Sequence, residues 1–170
     1  MDALLAGLFV ISSFGDMALN YCPDACLARA EEEPRIALSY GGVQFQEDFV
    51  AREAYARYSF PLRYGPVQPV LGVALAEDGS AWVGAGGAWT AHAPGDWGYV
   101  QFSLMPGLHH EGAGPRLGQS LEFRSGIELG VESPGGIRYA ISFDHRSNAD
   151  LSPVNPGLET LQFRVSIPLD

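Results

Sequence analysis

From residue 35 onward, apolar and polar side chains alternate with a period of two, and no long segment shows the period of about 3.6 that is typical of a helix. Successive side chains of a β-strand point to opposite faces, so the pattern predicts strands with one apolar and one polar face. Turn signals rich in glycine, proline and aspartate divide the pattern into eight segments. These segments are residues 35–45, 52–64, 66–77, 80–92, 96–106, 118–132, 136–148 and 158–168.

Alternation alone fits both a soluble barrel with an apolar interior and a transmembrane barrel with a polar interior. Three observations favour the membrane. Several segments reach the length that a tilted strand needs to cross a bilayer, the polar faces combine acids with arginines, and no lysine occurs from residue 35 on. We therefore predict an all-β fold, an eight-stranded antiparallel up-and-down transmembrane β-barrel. A soluble, lipocalin-like barrel that carries a lipid inside is the alternative.

Eight strands leave no open channel, so a porin function is not expected. The predicted lumen is filled by the charged side chains of the polar faces. These include Glu122, Arg124, Arg138 and Arg164.

The N-terminal region does not share the alternating pattern. Residues 3–14 form an apolar run of about the length of a secretory signal, and residues 28–30 have the A-x-A form of a cleavage site. The predicted organisation is a signal or N-terminal segment at 1–30, followed by a single barrel domain at 31–170. The alternative is that the first segment is an ordered helix or plug of the mature protein.

Charge and cysteine content narrow the range of partners. The chain has 20 acidic and 10 basic residues, a net charge of -10, which argues against a nucleic-acid partner. Cys22 and Cys26 are the only cysteines, so a cysteine-rich zinc site is excluded, and they form either a small disulfide or two thiols without a role. His109, His110 and Glu111 lack a third ligand at an evident spacing, so no metal site is predicted.

The segment around His145 and Ser147 combines residue types that carry nucleophilic chemistry. A serine needs a base to remove its proton, and a histidine base works best when a carboxylate orients it. His145 and Ser147 are two residues apart, hence on one face of a strand, and Glu159 begins the next strand after a short connection. All three have the parity of the apolar face, where an ionisable group is costly unless it has a purpose. The residues alone leave open whether this is a catalytic site or an incidental group in a structural or adhesion barrel.

The same segment resembles the signature of the outer-membrane lipid A 3-O-deacylase (PagL-like) family. That signature is a His-x-Ser-Asn motif with a glutamate twelve residues after the serine, matched here by His145, Ser147, Asn148 and Glu159. Asn155 matches a second asparagine of the loop. The resemblance implies that Ser147 is the nucleophile, His145 the general base and then acid, and Glu159 the orienting carboxylate. Backbone N–H groups after Ser147 would bind the oxyanion, with Asn148 or Asn155 shaping the loop.

The resemblance further implies a serine esterase of the bacterial outer membrane that removes the ester-linked 3-hydroxyacyl chain at position 3 of lipid A. The expected partner is lipid A or lipopolysaccharide, no metal or organic cofactor is needed, and a homodimer is left open. The sequence departs from the family at Asp150, where a glycine is expected, and in lacking a terminal aromatic residue. By parity, we expect the triad to face the bilayer near the extracellular end of the last two strands.

Overall fold

The alternating pattern forms the strands that it predicts. The structure, a computed structural model, describes residues 4–46, 48–95 and 97–169. Helix α1 (Leu4–Asp16) continues into a π-helical turn at Met17–Tyr21. The strands are β1 (Arg29–Glu31), β2 (Arg35–Phe45), β3 (Asp48–Ser59), β4 (Leu62–Tyr64), β5 (Val67–Ala76), β6 (Ala81–His92), β7 (Gly98–His110), β8 (Leu121–Glu132), β9 (Arg138–Ser147) and β10 (Leu158–Pro168).

Eight long strands close into a barrel. Each of β2, β3, β5, β6, β7, β8, β9 and β10 pairs antiparallel with its neighbours in chain order, and β10 pairs with β2 to complete the ring. The short strands β1 and β4 pair with each other, and β4 also touches β5. The β2–β3, β5–β6, β7–β8 and β9–β10 connections share one end of the barrel, called the loop end below. The predicted eight-stranded up-and-down barrel is thereby confirmed.

The two faces of the wall have the polarity of a transmembrane barrel. Large apolar side chains point outward and are about half exposed, so an apolar belt surrounds the barrel. This belt includes Leu38, Leu71, Val83, Leu129, Ile141, Leu161 and Phe163. The lumen holds the charged side chains, so the soluble alternative with an apolar interior is wrong.

Ion pairs fill the lumen. Glu53 lies 2.9 Å from Arg124 and 2.5 Å from Arg146, joining strands β3, β8 and β9. Glu128 accepts hydrogen bonds from Arg57 at 3.0 Å and from Arg164 at 2.5 Å. These charges are buried, and their mutual pairing offsets the cost of removing them from water.

Two predicted strand boundaries are wrong. The segment 52–64 contains the end of β3 and the separate strand β4, because the chain bends at Phe60 and Pro61. Strand β7 continues to His110 instead of ending at residue 106. The stretch 106–115 is rich in proline and glycine, which predicts a break after residue 106. A Cβ at Gly107 would instead lie 2.6 Å from the indole of Trp82, so this glycine makes room for a buried ring in the lumen.

Helix α1 lies outside the barrel, against β6, β7 and β8. Together with the π-helical turn it forms 18 residues with a mean hydropathy of 1.3, long and apolar enough to cross a membrane by length and composition. Cys22 and Cys26 form a disulfide just after it.

Candidate functional site

Strands β9 and β10 bring His145 and Glu159 directly opposite each other. The two residues are register partners, and His145 Nδ1 lies 3.4 Å from Glu159 Oε1. Ser147 is the last residue of β9 and shares the outward parity of His145. The three residues proposed from the sequence therefore lie on the outer face of one hairpin, at its loop end.

The site is on the outer wall but is covered. His145 is 1% exposed and Ser147 is 5% exposed, whereas Ile141, lower on the same face, is 54% exposed. Glu159 keeps 19% of its side-chain surface accessible. The parity of the strands thus predicts on which side of the wall the site lies, whereas residues from other parts of the chain that pack against it determine how exposed it is.

Gly157 is one of the covering residues. It has a φ of +74°, and a Cβ added to it would lie 2.8 Å from Cε1 of His145. Because glycine has no side chain, the backbone at position 157 can pass directly against the imidazole ring of His145.

We expect Gly157→Ala to displace the imidazole of His145 and to lower the hydrolytic activity that the family resemblance implies at least about tenfold, because in that mechanism a misplaced base loses its near-attack geometry. The matched control is Gly79→Ala, which carries a similar φ of +78° and whose Cβ would meet nothing within 4 Å. Comparing the two variants by deacylation rate and by heat-modifiable gel mobility separates backbone strain from contact with His145. Equal rates in both variants would contradict this role of Gly157.

The loop after Ser147 is organised by two asparagines. Asn148 is fully buried and its Nδ2 donates to the carbonyls of Leu117 at 2.8 Å and Val154 at 2.7 Å. The backbone N–H of Asn148 donates to Oδ1 of Asn155 at 3.0 Å. The two asparagines therefore hold the loop that carries the residues following the serine.

The next two residues have left-handed backbones, with φ of +53° at Ala149 and +59° at Asp150. Glycine adopts this conformation most easily, which gives a physical reason for the glycine expected at position 150. Aspartate tolerates it better than alanine does. The carboxylate of Asp150 accepts a hydrogen bond from Asn155 Nδ2 at 2.9 Å, so one of its oxygens is engaged by the loop itself.

A cavity of about 350 Å³ adjoins Ser147. Its lining combines polar residues of the loop with apolar residues of β7, β8 and helix α1. The lining residues are Ala6, Leu104, Phe123, Ser125, Ser147, Ala149, Asp150 and Asn155. Its volume lies within the range of ligand pockets, roughly 300–1,000 Å³.

Ser125 is a site residue that the sequence analysis did not single out. It is the register partner of His145 in β8, is 3% exposed, and its hydroxyl donates to the His145 carbonyl at 3.4 Å. A signal was present, since Ser125 interrupts the apolar row that contains Phe123 and Ile127. A polar residue on the lipid-facing row of a barrel strand marks a candidate site.

The pair His109 and His110 does not form a ligand set. They are consecutive on β7 and so point to opposite faces, and Nδ1 of His109 lies 3.5 Å from the Arg146 guanidinium. Among the residues that the structure describes, no group of three or more His, Cys, Asp or Glu side chains could hold a metal ion.

Comparison with known proteins adds a family and a fold. A model of the family described as lipid A 3-O-deacylase (PagL) matches residues 71–168, more than half of the chain. The crystal structure of the outer membrane enzyme PagL aligns with a TM-score of 0.65 at 17% identity, covering 79% of this chain and 99% of that one. Neisserial surface protein A aligns with a TM-score of 0.59 at 6% identity, covering 84% and 99%. At such identities the structures show the fold alone, and no curated protein matches significantly.

Proposed function

Because the chain belongs to the lipid A 3-O-deacylase family, we propose that it is an outer-membrane serine esterase that removes the 3-hydroxyacyl chain at position 3 of lipid A. Its family and its barrel fold locate it in the bacterial outer membrane. The observation that carries the proposal is the pairing of His145 with Glu159 beside Ser147, on the lipid-facing wall.

The proposed reaction begins with proton transfer. Glu159 holds the imidazole through Nδ1, so Nε2 is the nitrogen that takes the proton from the Ser147 hydroxyl. The serine oxygen attacks the ester carbonyl carbon, the ester C–O bond to the sugar breaks, and the imidazolium donates its proton to the departing sugar oxygen, which leaves as a hydroxyl. Water, activated by the same histidine, hydrolyses the acyl-enzyme and releases a free 3-hydroxy fatty acid.

The oxyanion of each tetrahedral intermediate needs hydrogen-bond donors. The N–H of Asn148 already donates to Asn155. Ala149 and Asp150 line the cavity beside Ser147, so their backbone N–H groups are the proposed donors. Asn148 and Asn155 act on this step by holding the loop, and the bond from Asn155 to Asp150 supports a carboxylate orientation away from the oxyanion.

The proposal is tested by mass spectrometry of lipid A from cells with and without the protein. We expect expression to remove one 3-hydroxyacyl mass and to release the corresponding fatty acid. Unchanged lipid A in cells whose outer membrane contains the heat-modifiable barrel would contradict the proposal and would favour a structural or adhesion barrel. Loss of a different acyl chain would keep the esterase and change the ester assigned to it.

A further inference from the structure

Helix α1 forms part of the candidate site, although its sequence is typical of a signal segment. We infer that residues 4–21 are retained in the mature protein, and that α1 forms one wall of an acyl-chain pocket beside Ser147 that limits which 3-hydroxyacyl chains are accepted. The acyl-chain part of this inference rests on the proposed function. The retention and docking of the helix do not.

The helix contacts the barrel through specific side chains along its length. Leu5 and Ser13 are 7% and 3% exposed, although much of the helix is accessible. Where α1 crosses β6, Gly87 leaves room for it, since a Cβ there would lie 3.2 Å from the ring of Phe9. At the end of the helix, the indole N–H of Trp89 donates to Asp16 Oδ2 at 2.8 Å. This aspartate thus has a partner on the barrel wall, which favours one docked position over free association in the bilayer.

The segment after the helix is attached to the barrel as well. Arg63 Nη1 donates to the hydroxyl of Tyr21 at 2.7 Å. Strand β1 then pairs with β4 from Arg29 through Glu31. Cleavage after Ala30 would cut this strand between two of its paired residues. The contacts on both sides of residues 22–28 therefore fit a retained segment better than a removed one.

Helix α1 contributes to the lining of the cavity beside Ser147. Ala6 of the helix lines it together with the apolar barrel residues Leu104 and Phe123. An ester whose carbonyl is at Ser147 would place its hydrocarbon chain against these apolar residues rather than against the polar side chains of Asp150 and Asn155. The chemistry of the lining therefore fits an acyl chain, and the small side chain of Ala6 leaves space for it.

The alignment with the crystal structure of PagL uses 99% of that chain but only 79% of this one. This chain therefore has residues that do not align with that barrel.

The first experiment tests docking and needs no activity. The full chain carrying Ala6→Cys and Leu104→Cys is expressed in outer membranes, treated with a bifunctional thiol reagent that can span the cavity, and analysed by mass spectrometry of its peptides. We expect peptides from residues 4–21 and a cross-link between positions 6 and 104. Gly7→Cys with Leu104→Cys is the matched control, because a Cβ at Gly7 meets nothing within 4 Å and therefore points away from the barrel, so this pair should cross-link much less than the pair 6 and 104. Absence of residues 4–21 from the mature protein, or equal cross-linking in both pairs, would overturn the inference.

The second experiment tests chain selection. Ala6→Leu and Gly7→Leu are compared with the unsubstituted protein on lipid A species with short and long 3-hydroxyacyl chains. We expect Ala6→Leu to change the ratio of the two hydrolysis rates by about tenfold or more, the effect of added methylene groups in an apolar pocket, and Gly7→Leu to leave the ratio unchanged. An unchanged ratio in Ala6→Leu would overturn the pocket. If the unsubstituted protein hydrolyses neither lipid while the cross-link forms, the proposed function fails, and the acyl pocket with it, whereas the docked helix stands.

Discussion

Replacing Ser147 with alanine is expected to reduce lipid A deacylation by about 10⁴-fold or more while the barrel still folds. In the proposed mechanism the nucleophile and its base act as a unit, so removal of the hydroxyl eliminates the covalent route and leaves only what binding and oxyanion stabilisation provide. Ser147 lies on the outer face of β9, whereas the ion pairs lie in the lumen, so stability should change little. The measurement is the rate of fatty-acid release from purified lipid A, with heat-modifiable mobility as the test of folding.

Ser125→Ala provides the discriminating comparison. Its hydroxyl lies in the same cavity, on the strand next to His145, and already donates to the His145 carbonyl. We expect this variant to keep activity within about tenfold of the unsubstituted protein, since it loses one weak neutral hydrogen bond. Strong loss in Ser125→Ala together with near-normal activity in Ser147→Ala would assign the nucleophile to Ser125.

The second large effect is expected in the lumen. Glu53→Ala should destabilise the folded barrel by about 3–5 kcal/mol, because it leaves the guanidinium groups of Arg124 and Arg146 without their shared carboxylate. Gln162 also loses the acceptor of a 2.9 Å hydrogen bond. The measurement is the free energy of unfolding in urea, with the protein in lipid vesicles and tryptophan fluorescence as the signal.

The control for Glu53→Ala is a substitution in an ion pair that is exposed to water. Glu111 lies 3.8 Å from Arg116, whose side chain is 87% exposed. Glu111→Ala should change the unfolding free energy by no more than about 0.5 kcal/mol. Comparable losses in the two variants would mean that burial of the Glu53 network is not what stabilises the barrel.

The sequence predicts most of the barrel because alternate residues of each strand face the polar lumen and the apolar outer surface, and their polarity differs accordingly. Parity also predicts that His145, Ser147 and Glu159 share the lipid-facing wall, and the hairpin brings His145 and Glu159 into register. Strand boundaries are less predictable where one residue type, such as glycine, fits either a turn or a close packing contact within a strand. Gly107 is read as a turn from composition, but its function in the fold is to accommodate the ring of Trp82, which is distant in sequence.

The cover over the site could not be predicted for a related reason. An apolar helix that packs on the outside of a barrel has the same hydropathy as a signal segment, so residues 4–16 carry no periodic signal of docking. Gly157 has the left-handed φ that glycine favours, but its contact with the imidazole exists only after β10 pairs with β9. Both features depend on tertiary contacts between segments that are far apart along the chain.

In strand β9, charged residues that point into the lumen alternate with residues of the candidate site that point outward. Asp144 and Arg146 point inward to Arg124 and Glu53, and the intervening His145 points outward. A slip of the strand by one residue would exchange the two faces, placing charges in lipid and the imidazole among arginines. Such a slip is prevented by the inward charges, whose partners lie on other strands. The charged side chains of the lumen thus fix the orientation of a site on the outer surface, although they do not contact a lipid bound there. Selection for activity would therefore act on the interior of this barrel as well.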